Sequence, residues 1–338
     1  MILIITHKED DTANRIQARL QKQQHPFLRI DQNQIGQGTA LSVAYSPHGL
    51  RRTWLHQGDQ TIDLSSIQVV WLRRPSEGYL HQEISNPYLR YWAKGETVDF
   101  WRETVAGLQA KWVPTTPHHL STLEVQKTDE LGLATQLGFT IPDTIVTNHP
   151  QTLAAFYRKH AGQIICKRVY SGRIPSPTAK NPEMDLCGAY TRRVTLRDLG
   201  YFSRLQYAPT LFQQLVPKAY ELRVTVIGER VIAVKIESQA LVGSQIDWRK
   251  AVNSQTLPYS IYHLPPDLEK LCLQLVKKMG LCYGAIDLIV RPDGEYIFVE
   301  INPTGQYGWL ESQIPCGIEE ALCKYLIEMD TSGSERYE

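Results

Sequence analysis

Three side chains with oxygen or amide donors stand close together near the C-terminus. They are Asp287, Glu300 and Asn302, in the stretch YGAIDLIVRPDGEYIFVEINPTGQYGWLE, residues 283–311. Taken with a period of two, AIDLIV and YIFVEIN are apolar strands joined by the Pro-Asp-Gly turn at 292–294. Asp287 can then lie opposite Glu300, and Glu300 and Asn302, two apart, point to one face. Two carboxylates and an amide at one sheet end suit Mg²⁺, a hard cation that often comes with substrate phosphates. No His or Cys accompanies them, which argues against zinc. The alternative is a polar hairpin with a solvated face, but charges among such apolar neighbours cost stability unless paired or metal-bound.

Other residue types suit phosphate. Lys167 ends the apolar strand QIICKRV, and a lysine there can aim its ammonium at a phosphate as a point charge. Arg223 and Lys235 lie on two apolar runs around a Gly-Glu turn at 228–229, so a second hairpin is expected. A planar guanidinium there can grip a phosphate with two parallel bonds. For Lys235 the competing reading is an exposed pair with Glu221 or Glu237.

The elements that must position these groups can be read along the chain. MILIIT is a buried strand, Asp11 or Thr12 caps a helix running to about Gln24, and FLRID at 27–31 is a second strand. Strand, helix, strand opens a parallel αβ unit. Residues 40–64 resemble a small antiparallel insertion, SIQVVWLRR returns to the buried sheet, and a long helix is expected over 87–110. Helices follow at 122–137, 150–160 and 196–204, separated by TIPDTIVT and QIICKRV. The stretch 171–189 is a long loop, and such loops in compact domains are often functional. Residues 211–239 are strand-rich, a helix covers 265–279, and a last helix covers 317–328. Three domains are expected: 1–118, 119–208 and 209–330, with a frayed tail at 331–338.

Bulk properties exclude several classes. With 338 residues the chain can build two or three domains. Its formal net charge of +1 gives no global field toward nucleic acid or a membrane surface. No apolar run approaches the roughly 18 residues of a membrane span. The six cysteines are scattered without a CxxC pair, which suits reduced thiols in a cytoplasmic protein better than a disulfide framework.

Three blocks, in order, resemble the ATP-grasp ligases: QKTDELGLATQLGFTIPDTIVT at 126–147, FQQLVPKAYELRVTVIGERVIAVKIES at 212–238, and the metal hairpin. Further blocks resemble the graspetide (microviridin-type) peptide maturases of that family: VVWLRRP at 69–75, PKAYELR at 217–223 and QIDWRK at 245–250. The resemblance runs to about residue 328. It implies an α/β (α+β) ATP-grasp fold, with an N-terminal parallel αβ pre-ATP-grasp domain, a small central domain and a C-terminal antiparallel-sheet domain.

It also implies roles. Lys127 and Lys167 would hold nucleotide phosphates; the alternative is two ordinary surface lysines. Gln213 and Gln214 lie in the adenine hinge, where Gln214 replaces the family's usual Glu but still offers donor and acceptor. Leu215 and Val216 would give backbone contacts and Glu221 would hold the ribose. Arg223, and Lys235 beside it, would stabilise the transferring phosphate. Of Arg73 and Arg74 at most one faces the cleft, and Arg74 is the candidate to hold a substrate carboxylate; its alternative is a salt bridge to the following helix. Arg73, Asp198, Asp247 and Arg249 are candidates for the substrate peptide. Trp248 is either part of that grip or a core anchor. In related maturases the helix holding Asp198 grips a leader-peptide arginine, but Arg197 stands here where another acid is expected.

The activity so implied is ATP-dependent activation of Asp or Glu side chains of a ribosomal precursor peptide, with closure of ester or amide rings. The cofactors are ATP and two Mg²⁺. The partners are a precursor peptide with its leader and, by the same resemblance, a second copy of the chain. His7 is a candidate for a general base; the alternative is a surface histidine. Two readings compete: a ligase joining a free amino acid or small amine to a carboxylate, and a non-catalytic nucleotide- or peptide-binding module. The Arg-Arg, PKA and DWR blocks speak against the first, and the intact metal trio against the second.

Overall fold

The computed structural model describes residues 1–36, 38–49, 51–73, 84–125, 127–169, 174–175, 186–187, 190–250 and 257–332. It begins with β1 (Ile2–Thr6), α1 (Asp11–Lys22) and β2 (Phe27–Asp31). The cap of α1 is Asp10, one residue before the expected position; its Oδ1 accepts from the N–H groups of Thr12 and Ala13 at 3.1 and 3.3 Å. A small antiparallel sheet of β3 (Thr39–Tyr45), β4 (Arg51–Gln57) and β5 (Gln60–Asp63) fills the expected insertion. Then come β6 (Val69–Leu72), α2 (Pro87–Ala106) and β7 (Lys111–Val113). The order β2-β1-β6-β7 is parallel throughout. Both faces of such a sheet must be covered. Leu3, Ile5, Val70 and Leu72 pack toward Trp101 and Val105 of α2, while Ile2, Ile4, Val69 and Trp71 pack on the opposite side.

The middle of the chain holds α3 (Pro117–Val125), α4 (Lys127–Leu137), β8 (Thr144–Thr147), α5 (Pro150–Lys159) and β9 (Ile164–Lys167). The helix expected over 122–137 is described over 117–125 and 127–137, on either side of residue 126, which lies outside the described residues. Short strands β10 (Ile174–Pro175), β11 (Leu186–Cys187) and β12 (Arg192–Arg193) precede α6 (Leu196–Leu199), a 3₁₀ turn (Phe202–Tyr207) and β13 (Thr210–Gln214). The expected helix over 196–204 thus shortens to one turn of α-helix plus the 3₁₀ turn. The strands order as β12-β9-β13-β8, all antiparallel. Strand β13 lies beyond the expected boundary at 208, yet it is hydrogen-bonded between β9 and β8. Most of the 171–189 loop lies outside the described residues.

The C-terminal part holds β14 (Tyr220–Ile227), β15 (Arg230–Ile236), β16 (Tyr259–Tyr262), α7 (Pro266–Lys278), β17 (Tyr283–Val290), β18 (Tyr296–Asn302), α8 (Gly308–Glu311) and α9 (Ile318–Thr331). Its antiparallel sheet runs β16-β15-β14-β17-β18. One face, with Leu222, Val224, Ile286, Leu288 and Phe298, packs on α4 and α7. On the other, Ile227, Val234 and Tyr283 meet α9 and the N-terminal sheet. That contact covers only one end of the face and leaves the end bearing Glu221, Arg223 and Asp287 as the floor of a cleft.

The β17–β18 ladder is not regular. Leu288 opposes Phe298, but Asp287 opposes Glu300, with a bulge between the two pairs. Strict alternation would put Phe298 and Glu300 on one face. The extra residue, Val299, separates them, so Phe298 enters the core while Glu300 joins Asp287 over the cleft. Bulges near functional sites commonly re-aim a side chain in this way. Phe298 is fully buried and its ring lies 5.3 Å from that of Phe139. Phe298→Ala is expected to cost about 3–5 kcal/mol of stability, measured by denaturant unfolding.

Candidate active site

Between the central and C-terminal sheets lies a cleft of about 400 Å³. Its floor is the face of β14, β17 and β18 just described; its roof is β9 and β13. Arg223 pairs in register with Asp287, and Asp287 with Glu300. The register thus sets three charges side by side across three strands. Arg223 donates through Nη1 to both Asp287 oxygens, at 2.9 and 2.8 Å, and through Nη2 to the Gln306 carbonyl at 3.4 Å. Asn302 donates through Nδ2 to Asp287 at 3.4 Å and to Glu300 at 3.2 Å. The expected trio is therefore together. Burial raises the Asp287 pKa; Arg223 opposes the rise and Glu300 adds to it. A cation at this point would relieve the repulsion between the two carboxylates.

The donor set fits Mg²⁺. Both carboxylates are oxygen donors, and a half-turn of the Asn302 amide presents its oxygen instead of its nitrogen. Among the described residues no group of three His, Cys, Asp or Glu side chains forms a metal cage. Two carboxylates and an amide leave coordination positions for phosphate and water oxygens, as Mg²⁺ prefers.

The roof supplies Lys167, opposite Leu211 in the ladder, and Gln213, opposite Ile165. Enclosure pulls the Lys167 ammonium below its ordinary pKa, with Glu300 across the cleft opposing that pull. Gln213 is buried; its Nε2 donates to Thr144 Oγ1 at 3.1 Å, while its Oε1 has no hydrogen-bond partner. An orphaned buried acceptor in this wall fits a ligand that brings an N–H donor, as an adenine amino group does. Gln214, Leu215 and Val216 line the same wall. The Leu215 N–H is committed to the Gln163 carbonyl at 2.9 Å. Glu221 is buried on the floor, and burial raises its pKa against the pull of Lys218. Lys218 was not singled out in the sequence. Its Nζ donates to Glu221 at 3.0 Å and to the Ile246 carbonyl at 3.0 Å. The signal available was its place three residues before Glu221.

The remaining candidates divide. Asp247 and Arg249 line the cleft. The Asp247 oxygens, however, are taken by Arg249 Nε at 2.8 Å, Arg249 Nη2 at 2.6 Å and the Thr191 N–H at 2.8 Å. Burial opposes the charge on Asp247, but Arg249 outweighs it and the pKa is lowered. Asp247 therefore orients Arg249, and Arg249 is the group left facing the cleft. Trp248 packs on Trp309, ring centres 4.7 Å apart, and is a core anchor at the cleft edge. Asp198 closes a capping box with Thr195 and accepts from Arg192 Nη1 at 2.8 and 2.9 Å. An arginine of this chain thus already occupies it.

Lys235 is a correction. It opposes Leu222, not Arg223, and adjacent strand residues alternate faces, so it lies on the face away from the cleft. There it pairs with Glu237 and sits 4.2 Å from the centre of the Tyr220 ring. Arg73 is a second correction: it is 3 % exposed and bonded to the Thr304 carbonyl, and it does not line the cleft. His7 pairs with Glu9 in the N-terminal part, outside the cleft lining. Arg74 and the side chain of Lys127 lie outside the described residues; the backbone of Lys127 is helical.

Comparison with known proteins agrees with this architecture. The model of the MvdD pre-ATP grasp domain matches residues 1–119, and that of the RimK-like ATP-grasp domain matches residues 206–326. No curated protein sequence matches the chain. Among solved structures, the chain is similar to a RiPP-associated ATP-grasp ligase of Chryseobacterium gregarium, solved with ADP and a leader and core peptide. The identity is 28 % over 97 % of this chain and 96 % of that one, with a TM-score of 0.86. The macrocyclase MdnC of Microcystis aeruginosa MRC, bound with precursor peptide MdnA, is 30 % identical over 97 % of this chain and 99 % of its own, with a TM-score of 0.83. The macrocyclase MdnB of the same organism is 26 % identical over 96 % and 98 %, with a TM-score of 0.75. The chain belongs to the ATP-grasp ligases of the graspetide (microviridin-type) peptide maturase family.

The two faces of β14 and β15 give a direct test. Arg223→Ala is expected to lower kcat about 10²–10³-fold, as loss of one preorganised charge donor does. Lys235→Ala should leave turnover essentially unchanged. Equal losses in both, by ADP release, would contradict the assignment of faces.

Proposed function

We propose that this chain activates Asp or Glu side chains of a ribosomal precursor peptide as acyl phosphates and closes them into rings with Ser, Thr or Lys side chains. The observation that carries the reading is the Arg223–Asp287–Glu300 row facing Lys167 across one cleft. It sets metal-suited carboxylates and a phosphate-suited ammonium around a single volume, with the Arg223 guanidinium held against Asp287 beside it.

Gln213, Val216 and Glu221 hold the adenosine, and Lys167 and Lys127 the phosphates. Asp287, Glu300 and Asn302 would hold magnesium, two ions by this reading, and the metal would supply charge neutralisation of the phosphates. A carboxylate oxygen of the peptide takes the terminal phosphoryl group and ADP leaves. A hydroxyl oxygen or amine nitrogen of the same peptide then attacks the activated carbonyl carbon. The carbon–oxygen bond to phosphate breaks, and phosphate and a proton are released. Arg223 neutralises charge on the transferring group, and Arg249 grips the peptide or its phosphate from the cleft edge. Positioning and electrostatics supply the rate, so no protein nucleophile is required. The setting is the cytoplasm, where ATP and a newly made precursor meet.

Mass spectrometry of a co-encoded precursor incubated with Mg-ATP tests this. The mass of one water should be lost per ring, and Asp287→Asn or Glu300→Gln should abolish the loss while peptide binding persists. ADP formed only with a free amino acid or amine would favour the small-molecule ligase. Peptide binding without ADP formation would leave a binding module.

The same reading carries a homodimer. Tyr88, Tyr91 and Trp92 on α2 are 79 %, 83 % and 60 % exposed, and a two-fold contact uses one such patch on both copies. Trp92→Glu should reduce the mass seen by light scattering to that of one chain; a monomeric wild type would remove the proposal.

A further inference from the structure

We infer that Arg73 is a positioning residue through which the N-terminal domain holds the metal-site loop in place; this rests on the ligase reading above. The loop is 303–307, which directly follows Asn302. It turns on the Gly305 N–H, which donates to the Asn302 carbonyl at 3.1 Å. A Cβ at Gly305 would stand 2.3 Å from Ala285 Cβ and 2.8 Å from Arg223 Nη2. The loop therefore lies directly on the Arg223 guanidinium, with no room for a side chain between them.

Two arginines grip it from opposite sides. From the C-terminal sheet, Arg223 Nη2 reaches the Gln306 carbonyl at 3.4 Å, and the Tyr283 hydroxyl donates to the Gly305 carbonyl at 2.6 Å. From the N-terminal domain, Arg73 Nη1 donates to the Thr304 carbonyl at 3.3 Å, and its guanidinium carbon lies 5.7 Å from the centre of the Tyr307 ring. Arg73 is itself fixed. Its N–H extends the β6–β1 ladder to the Ile5 carbonyl at 2.9 Å, and its Nε lies 3.6 Å from Asp10 Oδ2. Asp10 is held in turn by Thr6 Oγ1 at 2.8 Å and by the start of α1. Asp10 is 2 % exposed and Tyr307 1 % exposed, so the whole chain of contacts is sealed.

The consequence is a path, Asp10 to Arg73 to Thr304 and, through the next residue Gly305, to the backbone carbonyl of Asn302, that ends on the residue carrying a metal-site side chain and passes beside Arg223. A substrate carboxylate could not reach Arg73 without opening this seam. Arg73 therefore acts on the reaction through the loop and not by touching the peptide. Groups bonded directly to metal ligands commonly change metal affinity or activity 10–100-fold when altered, and Arg73 acts at one remove from these, through the Thr304 carbonyl.

The test compares wild type, Arg73→Lys and Asp10→Asn. Lysine keeps the charge but loses the fork. Asparagine caps a helix as well as aspartate does, so Asp10→Asn keeps α1 while freeing Arg73. Three quantities are read: Mn²⁺ affinity of the enzyme with ADP, by electron paramagnetic resonance; KM for the precursor peptide; and the unfolding temperature. We expect Mn²⁺ binding about 10–100-fold weaker in Arg73→Lys, and weaker in the same direction in Asp10→Asn. Peptide KM should stay at the wild-type value. Unchanged Mn²⁺ affinity with a raised peptide KM would overturn the inference and return Arg73 to substrate contact. Unchanged Mn²⁺ affinity and KM with only a lower unfolding temperature would overturn it in favour of simple packing. If Arg73→Lys does not fold, Asp10→Asn decides alone. A wild type that binds Mn²⁺ with ADP but never turns over peptide would count against the ligase reading, while the comparison of metal affinities still stands.

Discussion

Everything in the cleft depends on one row of charges, Arg223, Asp287 and Glu300, set side by side by strand register. Two carboxylates on neighbouring strands repel, and burial makes that repulsion costly. The Arg223 fork on Asp287 offsets part of the cost, and breaking such a buried pair typically costs about 3–5 kcal/mol. Glu300 stands beside Asp287, and a divalent cation between the two carboxylates would offset their repulsion.

The rest of the molecule is arranged around that row. The opposite face of the same sheet is a continuous apolar core against α4 and α7, which holds the strands in register. The central sheet lies across the cleft and contributes Lys167 and Gln213, so the two sheets enclose a ligand from opposite sides. Helix α9 and the N-terminal sheet close the far end of the floor. The loop after Asn302 is trapped between the two. Three parts of the chain therefore meet at one point, and the charge there is held by all of them.

Much of this was legible in the sequence because it follows simple periods. Apolar runs around Asp287 and Glu300 could only be strands, and residues two apart had to share a face. The β1-α1-β2 opening was equally plain. The bulge at Val299 was not legible, because nothing in YIFVEIN distinguishes an extra residue from a regular one; only the packing of Phe298 against Phe139 reveals it. A hairpin around the Gly-Glu turn leaves the face of Lys235 open, and its pairing with Leu222 turns it away from the cleft. Its face follows from register, and register is a tertiary fact. The commitment of Asp247 to Arg249 and Thr191 was hidden for a similar reason: the Thr191 partner lies 56 residues away. In the sequence Arg73 shows only as one of two arginines after a strand, and its seam partners lie far off on both sides, Asp10 before it and Thr304 and Tyr307 after it.

The central claim is that a peptide carboxylate becomes an acyl phosphate in this cleft. It is tested most directly by labelling the Asp and Glu side-chain carboxylates of the precursor with heavy oxygen and following the label during ring closure. The account predicts one labelled oxygen in the released inorganic phosphate for each ring closed, with none in ADP. Rings that form while the phosphate stays unlabelled would contradict it.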